Sequence, residues 1–432
     1  MQVSGGKIVG KIRRSVGIGA VVVVVVAAGI VALAKTGGVK STPRQISDLS
    51  PITSNFNVSV VPVSAPAAIL IDAENGQVLY AKNSLQQHYP ASLVKLMTSL
   101  IALDMVKKGT LKYQSLIPVS QSAYQLAITP GLSVAYLNPS EKITLSKMLE
   151  YMYVVSADDA AVALADAIAG NQPKFAKLMN EKAMQLGLTG THYTNASGLQ
   201  DPKQFTNAYD VAKISQYLIQ NDPIVLKYAS EPGMYIHPGQ YGYTYDQLLG
   251  QYKGLDGLKT GSTNQAGYCF SGTAEQHGHR LISVVLDANS FANVFQDTEN
   301  LLNYGFRFYR SVNFQAAGQP LGVKLTVKDG QNQALGMAPK SNVLVDALGG
   351  KIGAYSTEFL PSVAHAPIAA GERVGTEDVF VKNHIILQVP VYALQADPKA
   401  GLITKSWRLI MNHLHQVAAK IVNWAVLKLS HL

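Results

Sequence analysis

Residues 90–103 read PASLVKLMTSLIAL, and this stretch decides the fold prediction. Apolar residues recur at helical spacing from Ser92 to Lys108, and Gly109 closes the pattern, so we predict a helix that begins at Ser92. Ser92 and Lys95 are three positions apart and share one face of that helix. The serine hydroxyl would lie at the helix start, where backbone N–H groups and the helix dipole favour developing negative charge.

The Ser92/Lys95 pair predicts a nucleophile with its base. A serine hydroxyl is a weak nucleophile and needs a base beside it, and a lysine serves when burial and a neighbouring cation favour its neutral form. The spacing alone is a weak signal, because about one or two such matches are expected by chance in a chain of this size. Ser4-Gly5-Gly6-Lys7 is one of them.

A second motif, Ser156-Ala157-Asp158, lies inside residues 153–165, which read YVVSADDAAVALA. A hydroxyl at Ser156 can relay a proton between a base and a leaving amine. The local alternative is a helix N-cap at Ser156, followed by an acidic first turn.

A third motif, Lys259-Thr260-Gly261, lies in residues 257–274, which read GLKTGSTNQAGYCFSGTA. It joins two strand-like runs. A lysine and a threonine hydroxyl on a strand edge can hold a substrate carboxylate, and the glycine lets a substrate backbone approach closely. The alternative is a plain strand turn with an exposed lysine.

In this order the three motifs match the penicillin-recognising serine enzymes. The surrounding residues 138–170, 194–214 and 254–274 resemble the low-molecular-mass penicillin-binding proteins of the D-alanyl-D-alanine carboxypeptidase family. The resemblance covers about residues 60–310, and the C-terminal layout is similar too. It implies an α/β (α+β) fold of the β-lactamase/transpeptidase type: an antiparallel sheet flanked by helices, a small C-terminal all-β domain and a terminal amphipathic helix.

The resemblance also implies a role for each motif residue. Ser92 is the acylated nucleophile, Lys95 its general base and Ser156 the proton relay. The implied substrate-binding residues are Asp158, Lys259, Thr260, Gly261 and Ser262. Backbone N–H groups of Ser92 and Ser262 form the oxyanion hole. The implied partners are peptidoglycan stem peptides ending in D-Ala-D-Ala, with β-lactams as acylating inhibitors, and no cofactor is implied.

One departure separates this chain from the family, which usually has Asn where Asp158 stands. Asp158 leaves the fold and substrate class in place but opens the alternative of a catalytically weak wall-peptide-binding protein. A class A β-lactamase is a second alternative, since it shares the three motifs. That class needs a Glu beyond the second motif to activate the deacylating water, and none occurs between Glu181 and Glu231. This gap and the extra β domain favour the carboxypeptidase.

The chain divides by composition into six parts. We predict a signal peptide or N-terminal membrane anchor at 1–35, a linker at 36–64 and the serine peptidase domain at 65–312. A small β domain follows at 313–396, then a linker at 397–404 and an amphipathic membrane-associating helix at 405–432. The alternative for this last segment is a helix docked on its own protein. The peptidase domain should include a β-hairpin at 68–82, around Asn75-Gly76, and a buried strand from Arg280.

The charge lies at the two ends of the chain. Net charge is +9, and four basic residues before residue 15 and four after residue 404 supply most of it. A nucleic-acid binder should carry its basic stripe on the folded domain, so this distribution argues against nucleic acid and for an anionic membrane surface. Ser15–Ala34 is an uncharged run long enough to span a bilayer, with an A-x-A form at Ala32–Ala34, and both alternatives export the chain. We therefore expect a location at the extracytoplasmic face of the bacterial membrane, held by the C-terminal helix and, where it is not cleaved, by the N-terminal segment.

Metal binding is not expected. His277-Gly278-His279 supplies two ligand types but no third partner is apparent in the sequence, so a hairpin turn is the preferred interpretation. The single cysteine, Cys269, excludes an intrachain disulfide and is interpreted as a small buried core residue.

Overall fold

The computed structural model describes residues 61–429 apart from 333, 353, 354, 364, 382 and 383. The predicted signal or anchor segment, and nearly all of the predicted 36–64 linker, lie outside the described residues.

The first part of the structure, up to the end of the long helix at Phe308, mixes strands and helices. Its strands are β1 Ala67–Asp72, β2 Val78–Lys82, β3 Leu116–Pro118, β4 Lys142–Thr144, β5 Gly233–His237, β6 Gln240–Tyr243, β7 Leu255–Thr263, β8 Gly267–Gln276 and β9 His279–Ala288. Its helices are α1 Val94–Lys107, α2 Gln121–Ala127, α3 Leu145–Val154, α4 Asp158–Ala169, α5 Gln172–Gln185, α6 Ala208–Asn221, α7 Ile224–Ala229 and α8 Phe291–Phe308.

The central sheet is antiparallel, with strand order β2-β1-β9-β8-β7. The predicted hairpin is confirmed: β1 pairs with β2, and Gly76 takes the positive φ that the turn requires. The predicted strand from Arg280 is confirmed as β9, whose middle residues are fully buried. Both faces of these strands are covered, because α8 packs on one side and α6 on the other. Strand β7 lies at one edge of the sheet.

Helix α1 is the centre of the helical layer. Its residues from Val94 to Leu103 are all buried, so the helix is apolar nearly all round, as expected for a core helix. A short 3-10 helix, Ala91–Leu93, precedes it and packs against β7. The packing of α1 therefore fixes where Ser92 meets the edge of the sheet.

The second part of the structure is an all-β unit. Its strands are β10 Tyr309–Gln315, β11 Leu325–Thr326, β12 Ala334–Leu335, β13 Met337–Ala338, β14 Val343–Leu348, β15 Ser356–Pro361, β16 Arg373–Val381 and β17 His384–Ala393. Four of them form a sheet of order β13-β17-β16-β15, and β10 pairs with β14. The predicted fold class, including the small all-β domain and the terminal helix, is confirmed.

The two parts meet at a partly buried histidine between two buried carboxylates. His279 Nε2 lies 2.9 Å from Asp72 and 3.1 Å from Asp346, which belongs to β14. Burial lowers the pKa of His279, but the hydrogen bonds with Asp346 and Asp72 outweigh it and raise that pKa to about 10. The Gln77 side chain donates to the Asp346 carbonyl and accepts from the Asp346 N–H. These two uncharged hydrogen bonds support the ion-paired contacts of His279 at the junction.

The chain after the β domain ends in a long helix, α9 Leu402–Leu429. Residues 397–404 are predicted as a linker, but the first residue of this segment is packed against the small domain. Asp397 is fully buried, pairs with Ile368 and accepts a hydrogen bond from the Asn332 N–H, so the small domain holds this segment. Within the described residues, no helix combines the length and apolar character needed to cross a bilayer.

Candidate active site

Ser92 and Lys95 lie together at the start of α1. Lys95 is 1% exposed, and its Nζ is 2.9 Å from Ser92 Oγ. Lys95 Nζ also donates to Asp158 Oδ1 and to the Ser197 carbonyl, both at 2.7 Å. These three acceptors match the three donors of an ammonium group. A base and a hydroxyl at this distance can exchange a proton directly.

The loop that supplies the Ser197 carbonyl packs closely against the backbone of Ala91 and Ser92. Gly198 has φ +94°, and a Cβ at this position would lie 1.9 Å from the Ala91 carbonyl oxygen. Only glycine permits this approach. Asn195 accepts hydrogen bonds from the N–H groups of Ser197 and Gly198 and fixes the turn. The sequence motifs did not reveal this contribution, because a backbone carbonyl carries no residue signature.

Ser156 faces Lys259 and does not cap a helix. Helix α4 has Ala157 at its N-cap, with no capping side chain, and Ser156 takes φ +59°. Its Oγ accepts a hydrogen bond from Lys259 Nζ at 2.9 Å. The local alternative of a Ser156 N-cap is therefore wrong. A non-glycine residue held at positive φ indicates that the surroundings over-determine its position.

Asp159 holds the wall beside the site and is not part of the lysine cluster. Its carboxylate is fully buried and accepts from the N–H groups of Ala135 and Leu137. Burial raises the pKa of Asp159, and these backbone hydrogen bonds offset part of the rise. The neighbouring Asp158 N–H donates to the Ser133 carbonyl at 2.7 Å. The carboxylates of the two adjacent aspartates thus have different partners. That of Asp158 binds Lys95, and that of Asp159 binds the backbone of the loop 133–137.

Lys259 brings a second buried cation to the site. It is 2% exposed, and its Nζ donates to Ser156 Oγ and to the Thr260 carbonyl. Burial lowers the pKa of Lys259 well below its usual value, and the nearby Lys95 lowers it further. Asp158 and Asp246 raise it in part. A carboxylate entering the cleft would add a third counter-charge and favour the ammonium form.

The glycine of the third motif brings β7 against the nucleophile. A Cβ at Gly261 would lie 2.9 Å from the Ser92 nitrogen, so the strand passes directly beside the start of the helix. Thr260 is almost fully buried, whereas Ser262 is exposed on the strand beyond it. The structure therefore brings all three motifs to one place, with Ser262 at the open side.

Asp246 is a residue that the sequence analysis missed. Its side chain is buried, Oδ1 accepts from the Leu248 N–H, and Oδ2 has no hydrogen-bond partner among the described residues. Burial raises the pKa of Asp246 to about 6, and Lys259 offsets part of the rise. No motif surrounds Asp246, so only the folded chain shows that it faces Lys259.

His277 and His279 do not join this cluster. His277 occupies the turn between β8 and β9 with φ +55°, as a hairpin turn requires. His279, Asp72 and Asp346 place three ligand-type atoms within 4.8 Å of one another. Their hydrogen bonds account for that arrangement as the ion-paired junction of the two parts.

Comparisons with known proteins agree with this geometry. The D-alanyl-D-alanine carboxypeptidase family matches residues 54–290, and the C-terminal domain of penicillin-binding protein 5 matches residues 309–399. The chain is 30% identical to the D-alanyl-D-alanine carboxypeptidase DacF of Bacillus subtilis over 346 residues, which cover 79% of this chain and 87% of DacF.

Solved structures of penicillin-binding proteins are also similar to this chain. Penicillin-binding protein 5 from Haemophilus influenzae superposes with a TM-score of 0.66 at 27% identity, covering 78% of this chain and 98% of that one. Ampicillin-bound penicillin-binding protein D2 from Listeria monocytogenes gives a TM-score of 0.51 at 35% identity, covering 56% of this chain and 98% of that one.

Proposed function

Because the chain belongs to the D-alanyl-D-alanine carboxypeptidase family, we propose that its hydrolysis of stem peptides ending in D-Ala-D-Ala runs through an acyl-enzyme on Ser92. The reaction class, a serine-type carboxypeptidase, follows from the family. The observation that carries the assignment is the 2.9 Å contact between Lys95 Nζ and Ser92 Oγ in a buried site that also holds Ser156 and Lys259.

Acylation uses the two halves of the site in different ways. The terminal carboxylate of the substrate binds Lys259 and the Thr260 hydroxyl, which places the last peptide bond over Ser92. Neutral Lys95 takes the Ser92 proton as Oγ attacks the carbonyl carbon, and the N–H groups of Ser92 and Ser262 hold the oxyanion.

Collapse of this intermediate breaks the C–N bond. The leaving nitrogen takes a proton passed from Lys95 through Ser156, and free D-Ala departs. The product of this half-reaction is an ester on Ser92. Water then attacks the ester carbonyl as Lys95 accepts its proton. Ser92 Oγ leaves with that proton and restores the starting site.

Mass spectrometry after β-lactam treatment tests the nucleophile. One drug mass should appear on the peptide that contains Ser92, and Ser92→Ala should remove it. Ser4→Ala is the matched control, since Ser4 has the same spacing to a lysine, and it should keep the label. A label on any other serine would refute the assignment.

We also propose that helix α9 lies on the extracytoplasmic surface of the cell membrane. Arg408 donates to the Gly330 and Gln331 carbonyls, so the first turns of the helix are tied to the small domain. The apolar side is turned outward. Its exposed members are Trp407, Ile410, Leu414, Val417, Ile421 and Trp424. An amphipathic helix with tryptophans and basic residues suits the interface of an anionic membrane. This supports a location at the extracytoplasmic face, with the peptidase domain close to the wall.

A further inference from the structure

Three tyrosine rings cover the outer face of the β5–β6 hairpin, and we call Tyr235, Tyr241 and Tyr243 the tyrosine ladder. Tyr235 pairs with Tyr241 across the strands, and Tyr243 follows on the same face. The rings meet edge to face, with centroids 4.9 Å apart in both contacts. Tyr235 and Tyr243 are 66% and 73% exposed. Adjoining exposed aromatic rings indicate a binding surface more than they indicate a core.

Two glycines make the ladder fit. A Cβ at Gly233 would lie 2.5 Å from the Tyr241 ring, so this glycine leaves room for the ring on the outer face. A Cβ at Gly242 would lie 2.5 Å from Val155 Cγ1, so this glycine lets the inner face sit on the residue before Ser156. The hairpin is therefore seated against the second motif.

The ladder is continuous with the wall of the catalytic cleft. Tyr245 Oη, just beyond the hairpin, lies 3.3 Å from Ser133 Oγ. The Ser133 carbonyl accepts from the Asp158 N–H, and the Asp158 carboxylate accepts from Lys95. Ser133 therefore links this tyrosine to the lysine cluster. His237 Nε2 donates to the Ala135 carbonyl on the same loop at 3.0 Å. A ligand that leaves the cleft along this wall would pass onto the ladder.

The hairpin carries no formal charge that would select an anion. Residues 233–245 contain no Asp, Glu, Lys or Arg. Nucleic-acid phosphates and anionic lipid headgroups are bound through Lys and Arg, so this surface fits neither. Tyrosine offers an apolar ring and a hydroxyl at its rim, which suits a neutral ligand with an apolar face and polar edges. A pyranose ring has that form, with C–H bonds on its face and hydroxyl and amide groups around it.

We propose that the tyrosine ladder binds the glycan strand to which the stem peptide is attached. The proposal rests on the proposed function, because the cleft must hold the peptide while the ladder holds the sugars. It makes the enzyme selective for stem peptides that are still joined to glycan.

The test compares two substrates. One is a disaccharide-pentapeptide, and the other is an acylated tripeptide ending in D-Ala-D-Ala. The ratio of their kcat/KM values should fall about tenfold in the Tyr235→Ala/Tyr243→Ala double variant, equivalent to about 1.4 kcal/mol for two rings. Tyr243→Trp should keep the ratio. Tyr355→Ala is the matched control, because Tyr355 is a 53% exposed tyrosine that packs edge-on against Phe314 in the small domain.

A binding assay separates the ladder from catalysis. Full-length protein is sedimented with insoluble glycan strands whose stem peptides have been removed, and with vesicles of phosphatidylcholine and phosphatidylglycerol. The double variant should lose glycan binding and keep vesicle binding. Unchanged glycan binding with an unchanged substrate ratio overturns the proposal, and loss of vesicle binding alone reassigns the ladder to lipid and overturns it too. If neither peptide is hydrolysed, the proposed function fails, while glycan sedimentation still decides the ladder.

Discussion

Asp158 is the position where one substitution should most increase activity. Its Oδ1 lies 2.7 Å from Lys95 Nζ in a site that is almost closed to solvent. A general base must be neutral before it takes the Ser92 proton, and an ionised carboxylate at this distance favours the ammonium form. Asp158→Asn removes the negative charge, keeps an acceptor for Lys95 and adds a donor for the substrate carbonyl.

The size of the effect follows from the contact distance. A pair of unit charges 2.7 Å apart is worth about 6 kcal/mol at an effective dielectric constant near 20. A hydrogen bond from the ammonium to a neutral amide retains about 2–3 kcal/mol of this. The remainder, about 3–4 kcal/mol, is the part of the interaction that Asp158→Asn removes. The acidic limb of the acylation profile should move to lower pH, and acylation at pH 7 should rise by about 10- to 100-fold.

Acylation rates with a fluorescent penicillin across pH 5–10 measure this shift. Asp166→Asn is the matched control, since Asp166 lies on the same helix α4 but bonds Ser120 and Gln172. It should leave the profile in place. If Asp158→Asn acylates no faster at any pH, the ion pair does not restrain Lys95.

Three further outcomes are expected. The β-lactam acyl-enzyme should persist for many minutes, because no Glu lies between Glu181 and Glu231 to activate water; rapid turnover of a chromogenic cephalosporin would contradict this. His279→Gln should lower Tm at pH 7 by about 4–8 °C, equivalent to about 2 kcal/mol from two buried carboxylates that lose their partner. The pKa of His279 in the folded protein is about 10, above the usual value near 6.5. The stability lost in the variant should therefore be largest below pH 6.5 and should fade as pH rises through 10. Calorimetry at pH 6, 8 and 10.5 measures this dependence. Residues 65–432 should float with anionic vesicles, whereas residues 65–400 should not float and should keep their activity on soluble peptides. Equal flotation of the two chains would contradict the membrane role of α9.

The motifs and the main elements could be predicted because their signals are local. The Ser92/Lys95 pair is one helical turn, and the hairpin at Asn75-Gly76 is one turn type. The apolar run from Arg280 fixes a buried strand in the same way. What brings the motifs together is not local. Lys95 and the Ser197 carbonyl are 102 residues apart, and a carbonyl is present at every position.

Two local interpretations failed or changed for tertiary reasons. Ser156 has the residue type and the acidic successors of an N-cap, but Lys259 takes its hydroxyl and the backbone turns to positive φ. The start of the predicted 397–404 linker has linker composition, yet Asp397 is buried, pairs with Ile368 and accepts from the Asn332 N–H. Composition cannot show such pairings, since each depends on a partner far along the chain.

The same ion pair should govern both limbs of the pH profile. Two cations, Lys95 and Lys259, are buried together, and Asp158 and Asp246 offset their repulsion. Asp158 raises the pKa of Lys259, so replacing it with asparagine should lower that pKa further. The Asp158→Asn variant should then bind the substrate carboxylate more weakly at alkaline pH, while Lys95 becomes a better base at acid pH. The whole bell-shaped profile therefore moves to lower pH, and KM rises on the alkaline side even as kcat rises on the acidic side. A shift of the acidic limb alone would mean that Asp158 acts on Lys95 and not on Lys259.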